Sequence, residues 1–81
     1  VMTLFDDFTA IENVVVASPS FRARGFDMRR AAAGDRGLEQ EALEVLMGVG
    51  LADKARVIAK DLSYGDRRAL EIAVALAQRP R

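Results

Sequence analysis

The residues best suited to chemistry are Leu62-Ser63-Tyr64-Gly65-Asp66, which run directly into the apolar pattern of the last predicted helix. The first backbone N–H groups of a helix have no partner within it, and the helix dipole is positive there, so a phosphate-like anion can dock. Gly65 has no Cβ, which lets a ligand come close to the backbone. The alternative is structural: Ser63 only caps the helix, with Asp66 as the acid at the third helical position.

Other kinds of chemistry find little support in the sequence. The 81 residues contain no cysteine and no histidine, which excludes disulfides, thiolate metal sites and nucleophile–histidine pairs and argues against zinc-type sites. Asp6 and Asp7 have neither a partner base nor a pocket, so we interpret them as a surface turn. No Gly-x-x-x-x-Gly-Lys-Ser/Thr loop is present in the sequence. We therefore expect no catalytic residue and no metal ligand here, and at most half of a phosphate site.

Composition narrows the class of protein. An apolar fraction of 51% is typical of one small globular domain, and 12 basic residues balance 12 acidic ones. A neutral chain argues against nucleic-acid binding, so the arginines at 22, 24, 29 and 30 are interpreted as a solvated loop. The apolar runs Val14 to Ala17 and Ile72 to Ala77 are both far shorter than the ~20 residues that a membrane span needs. We expect neither a nucleic-acid partner nor membrane insertion.

Local patterns predict the elements that must position the site. Thr9 and Glu12 form the pattern of a capping box, which favours a helix over the strand that three consecutive valines would also allow. Ser18-Pro19 ends that helix. The segment from 20 to 34 is interpreted as mobile or partly helical. The order of elements predicts an all-α chain, a small bundle of four to five helices.

Two more helices are predicted before the last one. Leu38, Ala42, Val45, Leu46 and Val49 form one helical stripe, and Gly50 is suited to end that helix. A short helix follows over about 52–60, with Ala55, Ile58 and Ala59 facing the core. The last helix begins after Ser63, and its apolar positions cover more than one stripe, which predicts burial on more than one side.

The motif from Leu62 to Asp66 resembles the signature motif of ATP-binding-cassette (ABC) ATPases, usually Leu-Ser-Gly-Gly-Gln. The continuation Leu70-Glu71-Ile72-Ala73 resembles the helix after it, and the tyrosine at Tyr64 is similar to that in ATPases of branched-chain amino acid importers. Leu4-Phe5, with 9–14, resembles the family segment that follows the Q-loop. The resemblance implies an excised helical subdomain of a larger α/β ATPase, between the Q-loop and Walker B, and we expect coding sequence on both sides.

The resemblance also implies a mechanism shared by two subunits. Ser63, Tyr64, Gly65 and Asp66 would face the γ-phosphate of ATP, bound with Mg²⁺ on the phosphate loop of a second ATP-binding subunit. A transmembrane permease would bind the subdomain's outer face, which implies a cytoplasmic location on the inner face of the cell membrane. The chain alone is expected to be inactive.

Three positions depart from the family pattern. Asp66 replaces the usual glutamine, and we expect no side-chain contact with phosphate from it. Ala69 and Val74 stand where arginines are common, which removes two cations from around the signature helix.

Two readings without a nucleotide remain open. One is a helix-turn-helix DNA binder built on residues 38–60, which only Gly50 between two predicted helices favours. The other is an independent helical adaptor.

Overall fold

The computed structural model describes residues 4–19, 21 and 36–78, and within these ranges the chain is all-α, as expected. The elements whose bounds the described residues give are three α-helices, α1 (Ala10–Ala17), α2 (Arg36–Gly48) and α3 (Tyr64–Ala77), and two 3₁₀ helices, Ala52–Lys54 and Ala59–Asp61. Each of the three α-helices packs against the other two. The predicted small all-α bundle is confirmed, and its number of helices stays a prediction because part of the chain lies outside the described residues.

The capping box at the start of α1 is confirmed in both directions. The Glu12 N–H donates to Thr9 Oγ1 at 3.2 Å, and the Thr9 N–H donates to Glu12 Oε1 at 2.8 Å. Val14 and Val15 are buried in the helix, which settles the choice between helix and strand. At the other end, Ser18 has an extended backbone because it precedes a proline.

Gly50 ends α2 through its positive φ of 80°. The Leu51 N–H donates to the Leu46 carbonyl at 2.8 Å, and the Gly50 N–H donates to the Met47 carbonyl at 3.2 Å. This pair of bonds is the Schellman arrangement, and buried Leu46 and Leu51 supply its usual apolar contact. The predicted stripe is confirmed at Leu38, Ala42 and Leu46, which are all buried.

The predicted α-helix over 52–60 is wrong. Two 3₁₀ helices lie in this part of the chain, and between them Ile58 is extended and forms an antiparallel bridge with Thr9. The carbonyls of Ala55 and Val57 accept from the first N–H groups of α1 at 3.0 and 2.9 Å, so they do not serve a local helix. Ala55 is buried as predicted, whereas Ile58 is 36% exposed.

Seventeen apolar residues of the described ranges form a single core, to which all three α-helices contribute. They are Leu4, Ala10, Ile11, Val14, Val15, Ala17, Phe21, Leu38, Ala42, Leu46, Leu51, Ala55, Ala59, Leu62, Leu70, Ala73 and Val74.

The apolar surface of α3 is only partly used by this core. Leu70 and Ala73 are fully buried, whereas Ile72 is 57% exposed and Leu76 is 44% exposed. The broad apolar pattern of α3 therefore leaves an uncovered strip.

Predictions for the arginine-rich segment fall on residues outside the described ranges. No helix among residues 4–19, 21 and 36–78 has the length and apolar character that crossing a membrane requires.

Candidate functional site

Ser63 is the N-cap of α3, as its sequence context predicts. Its backbone is extended, with φ −63° and ψ 165°, and its Oγ accepts from the Asp66 N–H at 3.1 Å. A hydroxyl that accepts one hydrogen bond still has a proton to donate, and Ser63 is exposed. The capping role and a role as donor to a ligand are therefore compatible.

Three backbone donors at the start of α3 have no acceptor among the residues that the structure describes. The N–H groups of Ser63, Tyr64 and Gly65 have no acceptor within the described part of the chain, and all three residues are exposed. Three consecutive donors at the positive end of a 14-residue helix are the arrangement that binds an anion.

The start of α1 differs from the start of α3, because its first N–H groups all have acceptors although α1 is capped in a similar way. The Thr9 N–H is bound to Glu12, the Ala10 N–H donates to the Val57 carbonyl at 2.9 Å, and the Ile11 N–H donates to the Ala55 carbonyl at 3.0 Å. Every donor that is free at the start of α3 therefore has an acceptor at the start of α1.

Gly65 is required neither by packing nor by backbone conformation. A Cβ built at this position meets no atom of the described chain within 4 Å, and its φ is not in the left-handed region. Glycine inside a helix is less stable than alanine by about 1 kcal/mol. Because Gly65 has no Cβ, another molecule has room to approach the free N–H groups beside it.

The Asp66 carboxylate forms an ion pair with Lys54, a residue that the sequence analysis did not identify. Its Oδ2 lies 3.0 Å from Lys54 Nζ, and both side chains are partly exposed. The hydrogen bond to Asp66, with the nearby charges of Asp66 and Asp53, raises the pKa of Lys54 above its usual value. The absence of a phosphate contact from this side chain stays a prediction, and the pairing with Lys54 agrees with it.

Lys54 was missed because the pair spans 12 residues and joins two different elements. Helical spacing rules find partners three or four positions apart, and Lys54 lies in the segment whose structure was predicted wrongly.

Arg67 fixes the first turn of α3 to the rest of the domain. Its Nη1 donates to the Ala59 carbonyl and its Nη2 to Asp6 Oδ1, both at 3.0 Å. Asp7 pairs with Lys60 at 3.2 Å. Asp6 and Asp7 are exposed in a turn and each binds a cation, which confirms the surface-turn interpretation.

The remaining residues of the motif and its helix differ in exposure. Tyr64 is 78% exposed beside the free donors. Val74 is buried, so an arginine at this position would place a charge in the core, whereas Ala69 is only half-buried.

Two other kinds of site lack support. No group of three or more acids within the described ranges is arranged to hold a metal ion. The helix-turn-helix interpretation requires an α-helix after Gly50, and the 3₁₀ helices and extended Ile58 take its place.

Comparison with known proteins gives one informative relative. The chain is 34% identical over 77 residues to the methionine import ATP-binding protein MetN of Ligilactobacillus salivarius (strain UCC118). The matched region covers 95% of the chain but only 19% of the relative, so the chain spans about a fifth of that protein's length. No protein-family model matches the chain, and no solved structure matches it significantly. Most of the chain is thus similar to one part of a protein that is named for ATP binding and methionine import.

Proposed function

We propose that this chain is the helical subdomain of an ABC importer's ATP-binding subunit, located between the Q-loop and Walker B. The match over 95% of the chain to about a fifth of a larger ATP-binding protein supports a subdomain. The all-α architecture agrees with it. The phosphate loop, Walker B acids and other ATP-binding residues then belong to the rest of the polypeptide.

The observation that carries the proposal is the row of free donors at Ser63, Tyr64 and Gly65. In the assembled dimer these groups contact the γ-phosphate of an ATP held by the second ATP-binding subunit. The Ser63 hydroxyl donates to a phosphate oxygen, and the N–H groups of Tyr64 and Gly65 donate beside it. Mg²⁺ bound with this ATP would supply neutralisation of phosphate charge, and residues outside this chain would hold it. The chain's own residues bind and orient the phosphate but take no proton from water.

The proposed partners are the second ATP-binding subunit and a transmembrane permease, which places the protein in the cytoplasm at the inner face of the cell membrane. The solute proposed is an amino acid. Tyr64 and the Leu70-Glu71-Ile72-Ala73 run favour the branched-chain class, whereas the relative is named for methionine import.

The free chain is expected neither to hydrolyse ATP nor to bind it tightly, because one helix terminus lacks the lysine, loop and Mg²⁺ that hold most of the charge. Isothermal titration of the purified chain with Mg-ATP checks this. Tight binding would show that the chain has a complete nucleotide site of its own.

The direct test is Ser63→Arg in the full-length subunit. An arginine at the N-cap fills the space where the phosphate docks and removes the hydroxyl, so ATP turnover should fall to background. Gln40→Arg, at an exposed position of α2, is the matched control and should keep normal turnover. Normal turnover in the Ser63→Arg protein would contradict the proposal.

A further inference from the structure

The helices α1 and α3 begin with similar residue types, but the backbone N–H groups at their N-termini have different hydrogen-bond partners. Thr9 and Ser63 are hydroxyl N-caps, and Glu12 and Asp66 are acids at the third helical position. Glu12 turns back and accepts the N–H of its own N-cap, at 2.8 Å. Asp66 does not, and the Ser63 N–H stays without an acceptor in the described chain.

Lys54 pairs with the Asp66 carboxylate instead. Its Nζ lies 3.0 Å from Asp66 Oδ2, so the carboxylate is held towards the first 3₁₀ helix and not towards the N-cap. The backbone of Lys54 is itself fixed, because its N–H donates at 2.9 Å to the carbonyl of Leu51, which is buried in the core. The lysine therefore projects from an anchored position.

We propose that Lys54 is a positioning residue that keeps the start of α3 available to a phosphate. The proposal rests on the function proposed above and concerns the control of that same site. Without Lys54, the Asp66 carboxylate turns back to the Ser63 N–H, as Glu12 does to Thr9. One donor is then occupied, and an uncompensated negative charge lies at the helix end where the phosphate must dock.

The test compares three variants of the full-length subunit: Lys54→Met, Lys54→Arg and the double variant Lys54→Met with Asp66→Ala. Lys54→Met should raise the KM for ATP about tenfold, the change expected when one charge-assisted hydrogen bond to phosphate is lost. Lys54→Arg keeps the cation and should keep the KM. The double variant has no carboxylate to turn back, so its KM should return towards the normal value.

A purely structural role predicts a different pattern. If the ion pair only stabilised the fold, the double variant would be no better than Lys54→Met, and thermal unfolding midpoints would follow activity across the set. That pattern, or an unchanged KM in Lys54→Met, would overturn the positioning role.

Ser63→Arg in the same preparation separates this inference from the proposed function. Loss of turnover in Ser63→Arg together with a normal KM in Lys54→Met would refute only the role of Lys54. Normal turnover in Ser63→Arg would refute both.

Discussion

The side-chain amide of Asn13 is bound to the backbone of Phe5 in both directions. Its Oδ1 accepts from the Phe5 N–H at 2.8 Å, and its Nδ2 donates to the Phe5 carbonyl at 3.1 Å. Nδ2 also donates to the Thr9 carbonyl at 3.0 Å, and the residue is only 2% exposed. Asn13 therefore holds the segment before α1 onto the helix that follows it.

Asn13→Leu should destabilise the chain by about 1–3 kcal/mol, because it removes part-buried hydrogen bonds to the Phe5 N–H and to the Phe5 and Thr9 carbonyls. Urea denaturation of the 81-residue chain measures this loss. Gln40→Leu, at an exposed position of α2, is the control and should change the free energy of unfolding by less than about 0.5 kcal/mol. Equal effects of the two changes would show that the Asn13 hydrogen bonds contribute nothing net.

Three glycines offer a matched set of alanine substitutions. Gly65→Ala and Gly48→Ala each meet open space, so each should stabilise the chain by about 0.5–1 kcal/mol. Gly50→Ala should cost about 1 kcal/mol because of its φ of 80°. In the full-length subunit, Gly65→Ala should lower ATP turnover, whereas Gly48→Ala should leave it unchanged. A Gly65→Ala protein that is more stable and fully active would remove the functional reason for this glycine.

Two leucines of α3 should differ in how much stability their truncation to alanine costs. Leu70 is fully buried, so Leu70→Ala should cost about 2–5 kcal/mol through lost burial and a residual cavity. Leu76 is 44% exposed, so Leu76→Ala should cost under about 1 kcal/mol in the isolated chain. Thermal denaturation of both variants checks this. Equal losses would mean that the strip at Ile72 and Leu76 is covered in solution.

The ion pair of Lys54 predicts a stability change at alkaline pH. The Asp66 hydrogen bond raises the pKa of Lys54 above 10.5 in the folded chain. Such a group stabilises the fold while protonated, so its contribution is complete below pH 10.5 and is lost as the pH rises through the folded pKa. The stability difference between the natural chain and Lys54→Met should therefore be constant up to that pH and then shrink.

Lys54→Arg is the control for this alkaline transition, because a guanidinium keeps its charge in this range. Its stability relative to Lys54→Met should persist above pH 10.5. Denaturation curves collected over an alkaline pH series provide the measurement. A difference between the natural chain and Lys54→Met that stays constant throughout would exclude a role for lysine ionisation.

The two helix caps were predictable because each depends on residues within one turn. Thr9 with Glu12, and Ser63 at the start of α3, are read from spacing alone. The same holds for the end of α2, where Gly50 supplies a positive φ.

Local sequence patterns could not predict the features that depend on contacts between different elements of the fold. Ile58 is extended because it pairs with Thr9, a residue far away in the chain, and this pairing overrides the helical preference of the segment 52–60. Whether a helix N-terminus has free donors depends likewise on distant carbonyls, which reach Ala10 and Ile11 but not Tyr64 and Gly65. The role assigned to Lys54 follows from the folded structure only.

The central claim, that the start of α3 faces the phosphate of a nucleotide carried by a second subunit, can be tested by chemical protection. The chain contains no cysteine, so Ser63→Cys and Gln40→Cys each introduce a single thiol into this region of the full-length subunit. Alkylation of the peptide that carries each thiol is followed by mass spectrometry, with and without Mg-ATP. We predict that Mg-ATP strongly slows alkylation at position 63 and leaves position 40 unchanged. Equal alkylation rates at position 63 with and without Mg-ATP would contradict the account.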